Sequence, residues 1–221
     1  MTTSTTLYAI PFACSMAPHI ALREAAVPHD VSWVARGSLA MADGRKYRDV
    51  NPKGKVSALR LPDGSIVTEN IAVLLAIGDL APDAGLSSPA GSERRLRLYE
   101  WLSFISTELH KQALWAHFDP DVPQAMKTHV AEYVLPKVLP HPEAALQHRR
   151  FLIGDDFSLA DAYLFWTLVL LPQLGVSLED YPALLAFRDS VKDRPSVAQT
   201  LDLERSGLLA SSAFGSAGNT Q

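Results

Sequence analysis

At residues 10–20 the chain reads Ile10-Pro11-Phe12-Ala13-Cys14-Ser15-Met16-Ala17-Pro18-His19-Ile20. The preceding residues 5–10 are mostly β-branched or aromatic and end at a proline, which predicts a short strand. From Ile20 to residue 26 the apolar side chains recur at helical spacing, and Pro18 suits the first turn of a helix. The segment therefore predicts a strand, a turn and the start of a helix.

Cys14 lies in this predicted turn and is the single cysteine of the chain. Unpaired N–H groups and the positive end of a helix dipole lower the pKa of a thiol and favour the reactive thiolate. The alternative is that Cys14 is a small buried apolar side chain, which is the usual role of a cysteine outside a disulfide. The residues alone leave both interpretations open.

The composition restricts the class of protein. The chain has 221 residues, of which 48% are hydrophobic, and a formal net charge of −4. That is enough apolar material for the core of one or two domains, and the acidic balance gives no indication of a nucleic-acid partner. A single cysteine excludes disulfides within the chain and is typical of a reducing compartment.

The sequence shows no targeting or membrane segment. Residues 1–6 contain neither a basic residue nor an apolar run, and the apolar run at 163–171 is too short to span a bilayer. We therefore expect a soluble, cytoplasmic protein with no membrane partner. His19 and His29 are interpreted as surface or packing residues. The remaining histidines outside the motifs below lack metal-ligand spacing, so no metal is expected; they are His117, His129, His141 and His148.

The first 80 residues alternate predicted strands and helices. Strands are expected at 5–10, 31–34, 56–61 and 65–67, and helices at about 18–26, around 42–48 and at 71–80. Asp63-Gly64 between two apolar runs predicts a hairpin. The early alternation favours parallel pairing, and the hairpin adds an antiparallel edge.

The rest of the chain is predicted to be helical. Residues 81–92 are rich in Pro, Gly and Ser, and helices are expected at 93–118, 123–138, 143–150, 162–171, 182–192 and 195–204. Ser158 and Asp161 form a predicted capping box with a role in folding. The predicted domains are 1–82, a linker at 83–90, a helical domain at 91–206 and a disordered tail at 207–221.

Several motifs together resemble the bacterial beta class of glutathione S-transferases. In chain order they are residues 11–24, Val50-Asn51-Pro52-Lys53-Gly54, Asp63-Gly64 with Thr68-Glu69, Glu100-Trp101-Leu102, Thr107-Glu108-Leu109-His110-Lys111 and residues 157–165. The resemblance implies an α+β/α protein, in which a thioredoxin-like βαβαββα domain precedes an all-α-helical domain. It also implies glutathione as co-substrate, a hydrophobic electrophile as second substrate and a homodimer.

The resemblance assigns site residues position by position. Cys14 and Ser15 would face the glutathione sulfur, and His110 would act with them from the helical domain. Glutathione would be bound by Val56, Ser57, Glu69, Asn70, Ser103 and Thr107. A helix starting near Glu69 suits the γ-glutamyl carboxylate, and the backbone of Val56 suits the cysteinyl unit.

The long predicted helix supports this assignment. Ser103, Thr107 and His110 are four and then three residues apart, so they are expected on one helix face, in a cleft wall or as a solvated stripe. In the family this face also meets the partner subunit. An apolar pocket for the electrophile is expected from Phe12, Leu114, Trp115 and Phe118, with interdomain packing as the alternative role.

Two residues depart from the family pattern. Ser57 stands where relatives have a cis-proline. A non-proline cis peptide bond costs ~2.5–4 kcal/mol against trans, so the Val56–Ser57 bond is predicted to be either strained or trans. In both cases weaker glutathione binding is expected. Leu39 stands where relatives often have a glutathione-contacting lysine. Candidates to replace that lysine are Arg36, Arg45 and Lys46.

The functional hypotheses are therefore three. The first is a glutathione transferase that conjugates hydrophobic electrophiles, carries out thiol–disulfide exchange through Cys14, or does both. The second is a non-catalytic or weakly active binding module on the same fold, with an altered glutathione loop at Ser57. The third is isomerisation or reductive dehalogenation of an aromatic compound, for which the residues identify no substrate.

Overall fold

The computed structural model describes residues 4–215. Within that range the chain forms two compact units. One contains the residues up to Ala84 together with the chain from Arg194 onward, and the other contains Gly85–Asp193. Among the described residues, no helix combines the length and the apolar character that crossing a membrane requires.

The first unit is built on a sheet of four strands, β1 (Thr5–Ala9), β2 (His29–Trp33), β3 (Ala58–Arg60) and β4 (Ile66–Thr68), in the order β2-β1-β3-β4. Helix α1 (Met16–Glu24) connects β1 to β2, which pair in parallel, whereas β1–β3 and β3–β4 are antiparallel. Strand β1 is buried along its whole length, its two threonines included. The predicted parallel pair and hairpin are thus confirmed.

The predicted helix at 42–48 is absent, and a single turn of 3₁₀-helix at Tyr47–Asp49 takes its place. The Asp43 side chain accepts a hydrogen bond from the N–H of Arg45 at 3.1 Å, and Gly44 has a φ of +82°. These features reverse the chain locally, so a continuous helix does not form.

The remaining helices follow in chain order. They are α2 (Asn70–Leu80), α3 (Glu93–Phe104), α4 (Trp115–Phe118), α5 (Gln124–His129), α6 (Leu135–Val138), α7 (Pro140–Leu146), α8 (Leu159–Leu170), α9 (Pro182–Lys192) and α10 (Pro195–Gly215). Segments Ile105–Leu114 and Val130–Val134 are π-helical and join α3 to α4 and α5 to α6. The predicted long helices at 93–118 and 123–138 therefore contain wider turns.

Helix α8 is the buried centre of the second unit. Nearly every side chain from Leu159 to Leu170 is buried. The predicted capping box is confirmed, because the Asp161 carboxylate accepts hydrogen bonds from the Ser158 N–H at 2.8 Å and the Ser158 hydroxyl at 2.5 Å. A third hydrogen bond, from the Leu152 N–H at 2.9 Å, ties the preceding loop to the same carboxylate.

Helix α10 continues past its predicted end at residue 204 and packs against α1 and β2 of the first unit. Residues 207–215 of the predicted disordered tail are therefore helical, and residues 216–221 lie outside the described range. The reason is a tertiary contact: a Cβ atom on Gly207 would lie 2.5 Å from the Trp33 ring, so the helix backbone rests directly on that side chain. The other predicted domain boundaries remain predictions.

Candidate active site

Cys14 lies in the tight turn between β1 and α1. The Ala13 N–H donates to the Ile10 carbonyl at 3.0 Å, and the Met16 N–H donates to the Ala13 carbonyl at 2.9 Å. Cys14 is only 7% exposed, and its thiol donates to the Val56 carbonyl oxygen at 3.3 Å. The predicted reactive cysteine and the predicted glutathione-binding backbone are therefore neighbours in space.

The structure gives the Ser15 hydroxyl a different role from the predicted one. It donates to the Ile10 carbonyl at 3.1 Å and accepts from the Ile10 N–H at 3.2 Å, and the side chain is fully buried. The backbone of Ile10, just after β1, thus engages the Ser15 hydroxyl both as a donor and as an acceptor. Ser15 shapes the turn that carries Cys14, and in this conformation its hydroxyl does not face a ligand sulfur.

The loop before Val56 is held by hydrogen bonds to a single carbonyl. The Lys55 carbonyl accepts from the Tyr47 hydroxyl at 3.0 Å and from the Asn51 amide at 2.7 Å. Burial raises the pKa of Tyr47 to about 12, so the phenol keeps its proton and remains a donor. These contacts place Val56 beside Cys14.

The Val56–Ser57 peptide bond is cis, which answers one question that the sequence left open. The Ser57 hydroxyl donates to the Asn70 side-chain oxygen at 2.6 Å, and both residues are buried. Asn70 is the first residue of α2. Ser57 thus connects the cis loop to the start of that helix.

Glu69 and Asn70 lie at the N-terminus of α2, where backbone N–H groups and the helix dipole favour an anion. Glu69 has a φ of +75°, which is uncommon for a residue other than glycine and occurs often at ligand sites. The Asn70 side-chain nitrogen is buried without a hydrogen-bond partner among the described residues. The N–H groups at the start of α2 and the Asn70 side-chain nitrogen together suit a bound carboxylate.

Lys53 is a residue that the sequence analysis missed. Its ammonium donates to the Glu69 carboxylate and, at 2.8 Å, to the Thr68 hydroxyl. The predicted ligand-binding carboxylate therefore already has a cationic partner. The only sequence signal was its place in the Asn51–Gly54 turn, next to Val56.

Of the three cations considered as replacements for the family lysine, Arg36 is the one near Cys14. It donates to the Pro11 carbonyl at 3.3 Å. Burial lowers its pKa below the ordinary value, and the charge interaction with Cys14 opposes that change. Arg45 instead pairs with Asp43 on the surface at 2.7 Å. Leu39 packs against a buried apolar cluster that includes Tyr8, Ile10 and Ala13.

A buried hydrogen-bonded pair, His19 and Glu204, supports the turn from behind. The Glu204 carboxylate accepts from the Phe12 N–H at 2.7 Å and lies 2.8 Å from the His19 ring nitrogen, with both side chains of the pair fully buried. Phe12 has a φ of +57°. The packing role expected of His19 is thus observed, but nothing in the local sequence indicated Glu204.

His110 is buried in the second unit. Its Nδ1 atom lies 2.6 Å from the Tyr163 hydroxyl, and its ring centre lies 4.7 Å from that of Trp166. Burial, together with the charge of Lys111, lowers the pKa of His110 to about 3. The imidazole is therefore neutral at physiological pH and acts as a hydrogen-bonding group rather than as a cation.

The three residues predicted on one helix face do not share it. Ser103 and Thr107 are exposed, whereas His110 is only 8% exposed. The Thr107 hydroxyl donates to the Ser103 carbonyl at 3.0 Å. The π-helical segment that begins at Ile105 turns less per residue than an α-helix, which rotates His110 towards the core.

The predicted apolar pocket residues of the second unit also differ in exposure. Leu114 is fully buried, whereas Trp115 and Phe118 remain exposed to a large extent. Phe118 stacks on Trp166 at 6.2 Å between ring centres. Leu114 therefore belongs to the core, and the two aromatic residues remain candidates for substrate contact.

The comparisons with known proteins agree over both units. A model of the glutathione S-transferase N-terminal domain matches residues 13–80, and a model of the C-terminal domain matches residues 107–202. The chain is 37% identical to glutathione S-transferase GstA of Escherichia coli O157:H7, over 90% of this chain and 98% of that protein. The chain belongs to the glutathione S-transferase family.

Solved structures support the same class. A bacterial beta-class glutathione S-transferase from Sphingomonas chungbukensis matches with a TM-score of 0.86 and 37% identity, over 92% of this chain and 99% of that chain. A sphingomonad glutathione S-transferase complexed with glutathione matches with a TM-score of 0.86 and 37% identity, over 90% and 98%. The beta-class resemblance and the predicted fold class are confirmed.

This membership establishes the chemistry at the level of the family. The protein is a glutathione transferase with glutathione as its co-substrate, and the hypothesis of a non-catalytic binding module is not favoured. Within residues 4–215, no group of three or more His, Cys, Asp and Glu side chains is arranged to hold a metal ion.

Proposed function

We propose that this glutathione transferase conjugates hydrophobic electrophiles and binds the sulfur of glutathione beside Cys14. The observation that carries the proposal is the 3.3 Å contact between the Cys14 sulfur and the Val56 carbonyl oxygen. If the cysteinyl backbone of glutathione pairs with Val56 as an added strand, its side chain lies next to Cys14. The N-terminus of α1 and the Arg36 guanidinium then favour a thiolate there.

The γ-glutamyl end of glutathione is proposed to bind at the N-terminus of α2. Its carboxylate meets backbone N–H groups and Asn70, and its ammonium meets Glu69. The Lys53–Glu69 pair is exposed, and exposed pairs contribute only ~0–1 kcal/mol, so exchange of partners costs little. Lys53 then becomes available to a ligand carboxylate.

The helical unit is proposed to supply His110, Ser103 and Thr107. His110 is neutral and already oriented by Tyr163, so it can orient a sulfur through a hydrogen bond without adding charge. Trp115 and Phe118 are exposed aromatic side chains that suit a hydrophobic electrophile.

A homodimer is part of the proposal. Leu96 is 55% exposed and Tyr99 is 38% exposed on α3, and exposed apolar side chains close together are typical of protein contacts. Ser103 on α3 and Thr107 in the π-helical segment that follows it would then contact glutathione held mainly by the partner. Light scattering in solution should give twice the chain mass. The single cysteine supports action in the cytoplasm, a reducing compartment.

The first experiment compares wild-type protein with Cys14→Ala and Cys14→Ser. Glutathione affinity is measured by calorimetry, and conjugation is measured with a chlorinated dinitrobenzene. We expect both variants to bind glutathione and to conjugate it more slowly, because the thiol contact to the bound sulfur is lost. Full conjugation rates in both variants would contradict the role of Cys14.

Thiol–disulfide exchange is the second candidate function. The contact between Cys14 and Val56 favours it too, because glutathione paired with Val56 would have its sulfur beside that of Cys14. The Cys14 thiolate would attack the glutathionyl sulfur of a mixed disulfide between glutathione and another thiol, form the Cys14–glutathione disulfide and release that other thiol as its thiolate. A glutathione thiolate would then attack the Cys14–glutathione disulfide, regenerate the Cys14 thiolate and form glutathione disulfide. Intact mass after incubation with glutathione disulfide should show one glutathionyl adduct, which Cys14→Ala cannot form.

A further inference from the structure

The ring of His110 is held by two side chains of the neighbouring helix α8. Tyr163 and Trp166 are three residues apart on that helix, so they share one of its faces. The Tyr163 hydroxyl lies 2.6 Å from His110 Nδ1, and the Trp166 ring meets the imidazole at 76°, with 4.7 Å between ring centres. All three side chains are buried. The imidazole is therefore fixed with Nδ1 towards Tyr163.

The second ring nitrogen of His110, Nε2, is open. It forms no hydrogen bond with any residue in 4–215, and it is not one of the fully buried nitrogens that lack a partner within that range. A polar atom that is neither bonded to the protein nor fully buried is accessible from outside. Nε2 is therefore the ring atom that a ligand can reach.

The chemistry of this open edge depends on a single proton. Burial, together with the charge of Lys111, lowers the pKa of His110 to about 3, so the ring is neutral near neutral pH. A neutral imidazole carries its proton on either Nδ1 or Nε2. A proton on Nε2 makes the open edge a hydrogen-bond donor, which suits a thiolate. A proton on Nδ1 leaves a lone pair on Nε2, which suits the S–H of a thiol instead.

The contact with Tyr163 favours the proton on Nε2. Bonds from N–H to oxygen usually measure about 2.7–3.2 Å, whereas bonds donated by a hydroxyl extend down to about 2.5 Å. The 2.6 Å distance therefore indicates that the Tyr163 O–H donates and that His110 Nδ1 accepts. An accepting Nδ1 carries no proton, and the hydrogen bond made by one ring nitrogen determines the protonation of the other.

We propose that Tyr163 is a positioning residue for the transferase reaction: its hydroxyl donates to His110 Nδ1 and keeps the ring proton on Nε2, where the N–H donates a hydrogen bond to the thiolate of bound glutathione. The proposal rests on the function proposed above and deepens the role of His110 in it. Tyr163 acts through the imidazole and not on the reacting atoms themselves. A donor at the sulfur favours the charged form and so lowers the pKa of the glutathione thiol.

The first test locates the ring proton in the full-length wild-type protein. Histidine labelled with nitrogen-15 gives a proton–nitrogen correlation pattern that distinguishes the two neutral tautomers. The signals of His110 are identified by their loss in His110→Gln. We expect a protonated Nε2 and a bare Nδ1 near neutral pH, and a proton on Nδ1 overturns the proposal.

The second test removes the hydroxyl and keeps the ring, with Tyr163→Phe. The pKa of the bound glutathione thiol, read from the ultraviolet absorbance of the thiolate, should rise by about one unit, because the donor at the sulfur is no longer fixed. The pH profile of kcat/KM with a chlorinated dinitrobenzene should shift by the same amount. S-methylglutathione, a thioether that cannot form a thiolate, should bind with unchanged affinity, which reports an intact site.

Thr167→Val is the matched control. It removes another buried hydroxyl of α8, which donates to the Leu164 carbonyl at 2.7 Å, and it should leave the thiol pKa unchanged. An unchanged thiol pKa in Tyr163→Phe, or an equal rise in Thr167→Val, overturns the proposal, while conjugation by the wild-type protein leaves the transferase function standing. Wild-type protein that binds no glutathione would overturn both.

Discussion

His110 provides a prediction about charge at the candidate site. The ring is buried, it shares a hydrogen bond with Tyr163 at 2.6 Å, and its pKa in the folded protein is lowered to about 3. In the unfolded chain the same ring has its ordinary pKa of 6.5. The unfolded chain therefore takes up a proton on acidification well before the folded protein does.

The sign and size of the effect follow from linkage. Because the folded pKa is the lower one, stability is fully present above the unfolded pKa and is lost as the pH falls from 6.5 towards 3. The term RT ln(1 + 10^(pKa − pH)) for the unfolded ring grows by about 2 kcal/mol between about pH 7 and about pH 5. His110→Gln removes this contribution but keeps a polar side chain of similar length.

Urea unfolding of wild type and His110→Gln at several pH values measures the difference. The variant starts from a lower stability, since the contact with Tyr163 is weakened, but its stability should fall by about 2 kcal/mol less over this pH range. His148→Gln is the control: this histidine is exposed, so the variant should follow the wild-type curve. Parallel curves for wild type and His110→Gln would refute the neutral buried imidazole.

Two further substitutions test the support of the Cys14 turn and of α2. Glu204→Ala removes the buried acceptor that the His19 ring and the Phe12 N–H share, so we expect a loss of ~1–3 kcal/mol in thermal or urea unfolding and weaker glutathione binding. An unchanged affinity would separate the turn from the site. Ser57→Ala removes the buried hydrogen bond to Asn70 and should lower the free energy of unfolding by ~1 kcal/mol. Calorimetry should also show a lower affinity for glutathione. Equal affinity would show that Asn70 is held by other contacts.

Part of the site could be predicted because its signals are local. The strand–turn–helix around Cys14, the Asp63-Gly64 hairpin and the Ser158–Asp161 capping box each depend on residues close together in the chain. Their periodicity and turn chemistry act over a few residues, so the sequence carries them directly. The family motifs added the expectation that Cys14 and the backbone of Val56 both meet glutathione, and in the structure the two residues are in contact.

Other features arose only from tertiary packing. The helix face with Ser103 and Thr107 was predicted to include His110, but the π-helical turns rotate that ring into the core. Likewise the Lys53–Glu69 pair joins a loop to a helix start 16 residues away. Such pairings follow from how elements pack, and residue spacing along one element does not encode them.

The sequence by itself thus determined most of the strands and helices, the fold class and the place of the cysteine. The tertiary structure decided which groups hold that cysteine in place. The contact between Phe12 and Glu204 spans 192 residues, and it depends on α10 continuing across the first unit. A carboxylate at the end of a predicted helix carries no local signal of burial, because its burial is caused by the surfaces that fold around it.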